Sequence, residues 1–176
     1  MENTDSTFKL ALIPGLIISG VSIGISLLLW ATISDMELQK NLGYITWLII
    51  AYLYYYYTKS YRDTYLGGTI SYGKAFVYML YISLIMAFFT MLYFYILVKF
   101  LDPSMIDTMK DQAAQKLAEN QNFTEAQLDK MMSMQAMFLK PWILSLSTFF
   151  ASTIFGSILG LVMAIFVKNE NQVIEE

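Results

Sequence analysis

The chain has 176 residues, of which 57% are hydrophobic and only 14% are charged, and its formal net charge is −3. It contains no cysteine and no histidine, which excludes disulfides, thiol nucleophiles, iron–sulfur clusters and the Ser–His–Asp triad. The sequence has no basic stripe of the kind that neutralises phosphates, so nucleic-acid binding is not expected. Because a soluble domain carries about 25% charged residues, this composition indicates a membrane protein.

Four uncharged runs contain most of the apolar residues and have 25, 18, 24 and 27 residues. About 20 helical residues cross a bilayer core of roughly 30 Å. The sequence therefore predicts an all-α integral membrane protein with a single four-helix transmembrane domain over residues 1–176. The predicted spans are about 10–33, 42–57, 75–98 and 141–167, with an amphipathic extramembrane helical hairpin at about 102–139 between the third and fourth spans.

The polar segment Lys59–Lys74, between the second and third predicted spans, contains a candidate binding site. Gly67 and Gly68 supply backbone freedom for a turn, and Ser71 is placed to cap the next helix. Cations, tyrosine hydroxyls and one carboxylate of this segment form a candidate set for a lipid headgroup phosphate: Tyr61, Arg62, Asp63, Tyr65 and Lys74. The alternative is a tight structural turn pinned by Arg62 and Asp63. With a single carboxylate and no metal-ligand set, the segment does not resemble an enzyme site.

The segment Lys99–Lys140 is predicted to form two helices outside the membrane. Asp102 and Pro103 are typical of an N-cap and a first helical residue, and apolar residues recur after them at spacings of three and four. A capping-box pattern at 124–127 starts the second helix, which either ends before the fourth span or merges with it across Pro141. The apolar stripe fits both a hairpin that stands clear of the membrane and one that lies on it.

Four methionines on the second of these helices form a candidate partner face: Met131, Met132, Met134 and Met137. Flexible thioether side chains suit an adaptable interface with another protein. The alternative is a Cu(I) site, because thioethers are the only soft ligands in a chain without cysteine or histidine. Since the cluster continues an amphipathic face that must pack against something, the interface is the preferred interpretation, and no cofactor or metal is expected.

Small residues recur every four positions in two of the predicted spans and form a candidate helix-packing ridge: Gly20, Gly24, Ser152, Gly156, Gly160 and Ala164. Gly15 and Ser19 lie just before the first pair. Such rows allow helix backbones to approach closely inside a membrane. The preferred interpretation is packing of the first span against the fourth, and the alternative is homodimerisation through one row.

No Asp, Glu, Lys or Arg lies inside the four runs, which argues against an ion-coupled pump or a voltage-gated channel. A passive pathway lined by hydroxyls and backbone carbonyls stays open as an alternative. The second run ends in the tyrosines Tyr52 and Tyr54–Tyr57. Amphipathic rings favour the membrane interface, so this group is interpreted as an interfacial belt.

The motifs around the 59–74 segment and after the third span resemble a bacterial family of unknown function, DUF4199, which is largely confined to the Bacteroidota. The resemblance covers about Phe8–Lys168 and implies a four-span protein of the bacterial inner membrane. It implies no activity, because the family offers no catalytic or ligand residues to transfer. The residues that carry it are Tyr61-Arg62-Asp63, Gly67-Gly68, Ile70-Ser71-Tyr72-Gly73, Ala75-Phe76 and Asp102-Pro103.

Four spans place both termini and the 59–74 segment on one side of the membrane. That side would hold Lys9, Lys59, Arg62, Lys74 and Lys168, whereas the other side would hold six lysines, most of them in the longer 99–140 segment. Because the positive-inside rule gives most weight to short loops near span ends, it favours cytoplasmic termini. The preferred function is a non-enzymatic accessory or scaffold subunit that binds a membrane-protein partner or a second copy within the lipid bilayer. The alternatives are binding or handling of a lipid or lipid-linked sugar at the inner interface, and a passive channel or small-molecule transporter.

Overall fold

The computed structural model describes residues 4–33, 35–118 and 125–170. Within these ranges every regular element is helical, apart from one isolated antiparallel bridge between Ile70 and Asn169. The all-α prediction is confirmed. The helices are α1 (Thr4–Thr32), α2 (Met36–Tyr65), α3 (Tyr72–Ile96), a π-helical turn that continues α3 (Leu97–Leu101), α4 (Ser104–Ala118), α5 (Glu125–Phe138) and α6 (Pro141–Val167).

Three helical stretches are long and apolar enough to cross a membrane, namely Ser6–Thr32, Tyr72–Leu101 and Pro141–Val167, with mean hydropathies of 2.2, 2.1 and 2.2. They support a multi-pass membrane protein. Helix α2 has 30 residues, but five tyrosines between residues 52 and 57 and charges near both of its ends make it less apolar. Among the described residues the structure therefore contains three apolar spans where the sequence predicted four.

The described residues of 1–90 and 151–170 form one compact unit, and α3 supplies much of its buried surface. Helix α1 lies close against α3 at Gly15, which has no side chain. A Cβ atom on Gly15 would come within 2.7 Å of the Ile85 side chain. The Tyr78 hydroxyl donates to the Leu10 carbonyl at 3.2 Å. Because α3 is apolar around most of its circumference, it can be covered by several helices at once.

Residues 91–150 form the second compact unit, which contains the end of α3, the π-helical turn, α4, α5 and the start of α6. The amide of Asp102 donates to the Leu97 carbonyl at 2.8 Å and closes the π-helical turn. The Asp102 carbonyl then accepts from the amide of Met105 at 3.3 Å. Helix α4 consequently begins at Ser104, one residue after the predicted first helical residue, Pro103.

One predicted boundary is wrong. Residues 59–65 of the predicted 59–74 loop continue α2, so the connection to α3 is only residues 66–71. Of the two alternatives for the second hairpin helix, the structure has the one in which it ends before the last span: α5 ends at Phe138 and α6 starts at Pro141. Proline has no amide hydrogen and its ring clashes with the preceding turn of a continuous helix, so it starts a new helix here. The predicted capping residue Thr124, which would start α5, lies outside the described residues.

Candidate functional sites

The turn between α2 and α3 is built by two glycines in left-handed backbone conformations. Gly67 has a φ of 65° and Gly68 a φ of 87°, a region in which other residues are strained. The amides of Leu66 and Gly68 both donate to the Arg62 carbonyl, at 3.2 and 3.1 Å, and thereby cap the end of α2. The predicted helix cap is also present, since Ser71 Oγ accepts from the amide of Lys74 at 3.4 Å.

The Arg62 side chain ties this turn to the end of α6. Its Nε donates to Asp63 Oδ1 at 2.7 Å, and its terminal guanidinium nitrogen donates to the Val167 carbonyl at 2.9 Å. Only 16% of the Arg62 side chain is exposed. A cation at the carboxyl end of a helix is favourable because that end carries partial negative charge. The hydrogen bond and charge of Arg62 also hold the pKa of the exposed Asp63 carboxyl below its ordinary value.

Residues after α6 fold back onto the same turn. Asn169 pairs with Ile70 through two backbone hydrogen bonds of 3.0 Å, and its side-chain nitrogen donates to the Gly68 carbonyl at 2.8 Å. A carboxylate oxygen of Glu170 accepts from the amide of Tyr72, the first residue of α3, at 3.1 Å. The amino-terminal end of α3, where an anion would be favoured, therefore already holds a protein carboxylate.

The five residues predicted to bind a lipid headgroup are placed in different environments. Tyr61 is buried and stacks on Tyr78 with ring centroids 4.1 Å apart, whereas Tyr65 is 60% exposed. Arg62 is largely buried, Asp63 is exposed and Lys74 is half-buried. The turn thus brings the five residues into one region, but it uses Tyr61 and Arg62 to hold helices together.

The small residues of α6 pack against α3 and α2, so the predicted pairing with the first span is wrong for its two glycines. A Cβ atom on Gly156 would lie 2.8 Å from Ser83 Oγ and 3.0 Å from the Tyr54 hydroxyl oxygen, and one on Gly160 would lie 3.2 Å from the Met79 Cβ. Ala164 continues this buried row, and Ser152 is half-buried. In contrast, nothing lies within 4 Å of a Cβ atom on the α1 glycines, Gly20 and Gly24.

A buried hydroxyl pair lies under Gly156, and the sequence analysis did not predict it. The hydroxyl of Tyr54 and Oγ of Ser83 are 2.9 Å apart, and Ser83 Oγ also lies 2.9 Å from the Met79 carbonyl. Tyr54 is fully buried, whereas its neighbours Tyr52 and Tyr56 are more than half exposed. The tyrosine run is therefore divided between the core and the surface. A serine at mid-helix in an apolar run is the sequence signal that points to such a pair.

The hairpin of α4 and α5 contains a cavity with a volume of about 610 Å³. None of the described residues that line it is ionisable. Met131 and Met134 of the predicted partner face contribute to it, and α4 adds Met109, which the sequence analysis had not included. The full lining is Met109, Gln112, Ala113, Met131, Met134, Gln135, Phe138 and Leu139.

The other two methionines of the predicted face point elsewhere. Met132 lines a separate cavity of about 130 Å³, and Met137 is 55% exposed without lining either cavity. A third cavity, of about 350 Å³, is lined by Lys110, Lys140 and Asp107 among others. Lys110 Nζ forms an ion pair with Asp107 Oδ1 at 2.7 Å there. Leu139, which is only 8% exposed, lines all three cavities.

Comparison with known proteins connects these features to one family. The family described as a protein of unknown function, DUF4199, matches residues 7–169. The chain belongs to the DUF4199 family. No curated protein and no solved structure matches it. The resemblance predicted from the 61–76 and 102–103 motifs is thereby confirmed, and the matched region of this DUF4199 protein includes the turn, both glycine rows and the hairpin groove.

The side chains of this DUF4199 protein that could act as metal ligands are carboxylates and thioethers. Among residues 4–33, 35–118 and 125–170, no group of three or more Asp and Glu side chains could hold a metal ion. Three thioethers, those of Met109, Met131 and Met134, line the large cavity. A cavity of about 610 Å³ lies within the range of small-molecule sites, which is roughly 300–1,000 Å³, and is far larger than a coordination site needs.

Proposed function

We propose that this protein is a non-enzymatic accessory subunit of the bacterial inner membrane that spans the bilayer four times and holds an apolar partner in the groove between α4 and α5. The observation that carries this proposal is the open groove of about 610 Å³, lined by methionine, alanine, phenylalanine, leucine and two glutamine side chains. Protein interiors are normally close-packed. An apolar groove of this size is therefore most stable when another apolar group fills it.

The case for α2 as a fourth span rests on its length. Its 30 residues extend about 45 Å at about 1.5 Å per residue, which exceeds the roughly 30 Å of a bilayer core. The tyrosines that lower its hydropathy are residues that tolerate the interface. With four spans, Lys9, Lys59, Lys74 and Lys168 share one side, which the positive-inside rule makes cytoplasmic.

Because the chain lacks cysteine, single cysteines can report this topology directly. Asp35 lies just before α2 and Thr69 just after it. We expect a membrane-impermeant maleimide to label Asp35→Cys from the periplasm, and to label Thr69→Cys only after the inner membrane is permeabilised. Labelling of both positions from the same side would show that α2 does not cross the membrane.

Headgroup binding at the Arg62 turn has less support than the groove. Arg62 already donates to Asp63 and to the Val167 carbonyl, and Glu170 already accepts from the start of α3. A phosphate would have to displace these contacts. The groove, in contrast, requires no protein contact to be broken before it is filled.

The proposal is tested by photo-cross-linking in intact cells with a photoreactive amino acid at Met134 or at Met137. Both side chains are about half exposed on α5, at 51% and 55%, but only Met134 lines the groove. We expect a defined adduct from position 134 and a much weaker one from position 137. Equal yields at the two positions, or no adduct at either, would overturn the groove as the binding site.

A further inference from the structure

We infer that the occupant of the α4–α5 groove is one acyl chain of a membrane phospholipid. This inference rests on the proposed function, because it names the apolar partner of the same groove. It is carried by three properties of the described residues: the dimensions of the groove, the absence of charge in its lining, and its continuity with the start of a membrane-crossing helix.

The dimensions favour a hydrocarbon chain over a partner helix. Along α5 the groove extends from Met131 to Leu139, about 12 Å at about 1.5 Å per residue. A helix is at least about 10 Å in diameter, so a segment of that length occupies roughly 900 Å³. The groove has about 610 Å³ and could take only some side chains of such a helix, whereas a stretch of a single hydrocarbon chain, which is much thinner than a helix, fits within it.

The chemistry of the lining also suits hydrocarbon. Among the described residues that line the groove, the polar side chains are those of Gln112 and Gln135, and both are neutral. The adjoining cavities, in contrast, are lined in part by charged side chains, those of Asp107, Lys110 and Lys140. Methionine adapts its shape to irregular apolar ligands, which suits chains that differ in length or unsaturation. A peptide partner would normally meet charged or hydrogen-bonding groups at the rim.

At its α5 end, the groove is continuous along the chain with a membrane-crossing helix. Phe138 and Leu139 line the groove and immediately precede the apolar helix that begins at Pro141. Before α4, the apolar span ends with Phe100 and Leu101, which are 66% and 48% exposed. Residues that flank a span lie at the headgroup level. A lipid at that level can therefore direct one chain into the groove without crossing an aqueous gap.

The test uses the purified full-length chain in lipid nanodiscs that contain a phospholipid with a photoactivatable diazirine in one acyl chain. After irradiation, mass spectrometry maps the adducts to peptides. We expect adducts on peptides that contain Met109–Ala113 and Met131–Leu139, in addition to those on the membrane-crossing helices. Met134→Trp, which fills the groove, should lower the groove adducts by about tenfold, the effect of losing about 1.4 kcal/mol of binding.

Met137→Trp is the matched control, because it introduces the same side chain three residues away on the same helix but outside the groove lining. It should leave the adducts unchanged, and equal circular dichroism and thermal unfolding of both variants would establish that they fold. Unchanged groove adducts in Met134→Trp would overturn the lipid assignment. A protein adduct instead of a lipid adduct at position 134 in cells would also overturn it while leaving the proposed function intact. Absence of any specific adduct there would overturn both.

Discussion

Gly156 is a position where one added methyl group should clearly destabilise the packing of the membrane-embedded helices. In Gly156→Ala the new Cβ atom would lie 2.8 Å from Ser83 Oγ and 3.0 Å from the Tyr54 hydroxyl. Overpacking of this kind costs about 1–3 kcal/mol. Weakening the buried hydrogen bond between the two hydroxyls adds about 1 kcal/mol. The higher helix propensity of alanine offsets about 1 kcal/mol, so we expect a net loss of about 2 kcal/mol of unfolding free energy.

The matched control is Gly20→Ala, because Gly20 belongs to a small-residue row on α1 but has no atom within 4 Å of its Cβ position. This variant should be neutral or more stable by up to about 1 kcal/mol, since only helix propensity changes. The measurement is reversible unfolding of the full-length chain in mixed micelles with increasing dodecyl sulfate, followed by circular dichroism. In a Gly156→Ala background, Ser83→Ala should recover part of the loss because it removes the nearest atom.

Two results would refute this reasoning about Gly156. If Gly156→Ala unfolds at the same dodecyl sulfate concentration as the unmodified chain, α6 is not held close to Ser83 and Tyr54. If Gly20→Ala loses as much stability as Gly156→Ala, the α1 row is also packed against another helix, and a second copy of the chain becomes the explanation.

The α2–α3 turn provides three further predictions in the same assay. Gly68→Ala should lower the free energy of unfolding by about 1–2 kcal/mol, because Gly68 has a φ of +87°. Gly73→Ala should leave it unchanged, because the space around Gly73 is open. Arg62→Met should cost about 2 kcal/mol, because it removes the charge-assisted hydrogen bond to the Val167 carbonyl. Because Arg62 holds the pKa of Asp63 below its ordinary value of 3.8, the ionised carboxylate stabilises the fold above that pH, and the contribution disappears as the pH falls through the lowered pKa. In Asp63→Asn the free energy of unfolding should fall slightly less as the pH is lowered, and an unchanged pH dependence would contradict the ion pair.

Composition and run length were sufficient to predict a helical membrane protein. A segment of about twenty apolar residues in lipid must satisfy its own backbone hydrogen bonds as a helix, whichever other helices it packs against. They were not sufficient for α2. Its tyrosines satisfy the uncharged-run criterion but lower the hydropathy, and the helix continues past the run to Tyr65. A helix ends where its backbone is capped, and here the cap is provided by Gly67 and Gly68 rather than by the first charged residue at Lys59.

Contacts within the candidate sites were predictable only where they are local in sequence. The turn glycines and the Ser71 cap follow from residue type and spacing, whereas the bond from Arg62 to Val167 joins residues 105 positions apart. The small-residue rows show the same limit. Four-residue spacing identifies helices that can approach closely, but it does not identify the partner, and on α1 the close approach to α3 is made by Gly15 rather than by Gly20.

The distribution of unfilled space explains why the hairpin, rather than the turn, is the place to look for function. At the turn, Arg62 bonds to Asp63 and Val167, and the bond from Glu170 caps α3, so the groups that could recognise a ligand already stabilise the fold. In the hairpin, an apolar cavity of about 610 Å³ adjoins the buried Leu139. Cavities that are lined by apolar atoms forgo the dispersion contacts that a packed interior provides. A fold that retains such space beside a membrane-crossing helix is most stable with an apolar occupant, and the adjoining bilayer is its most abundant source.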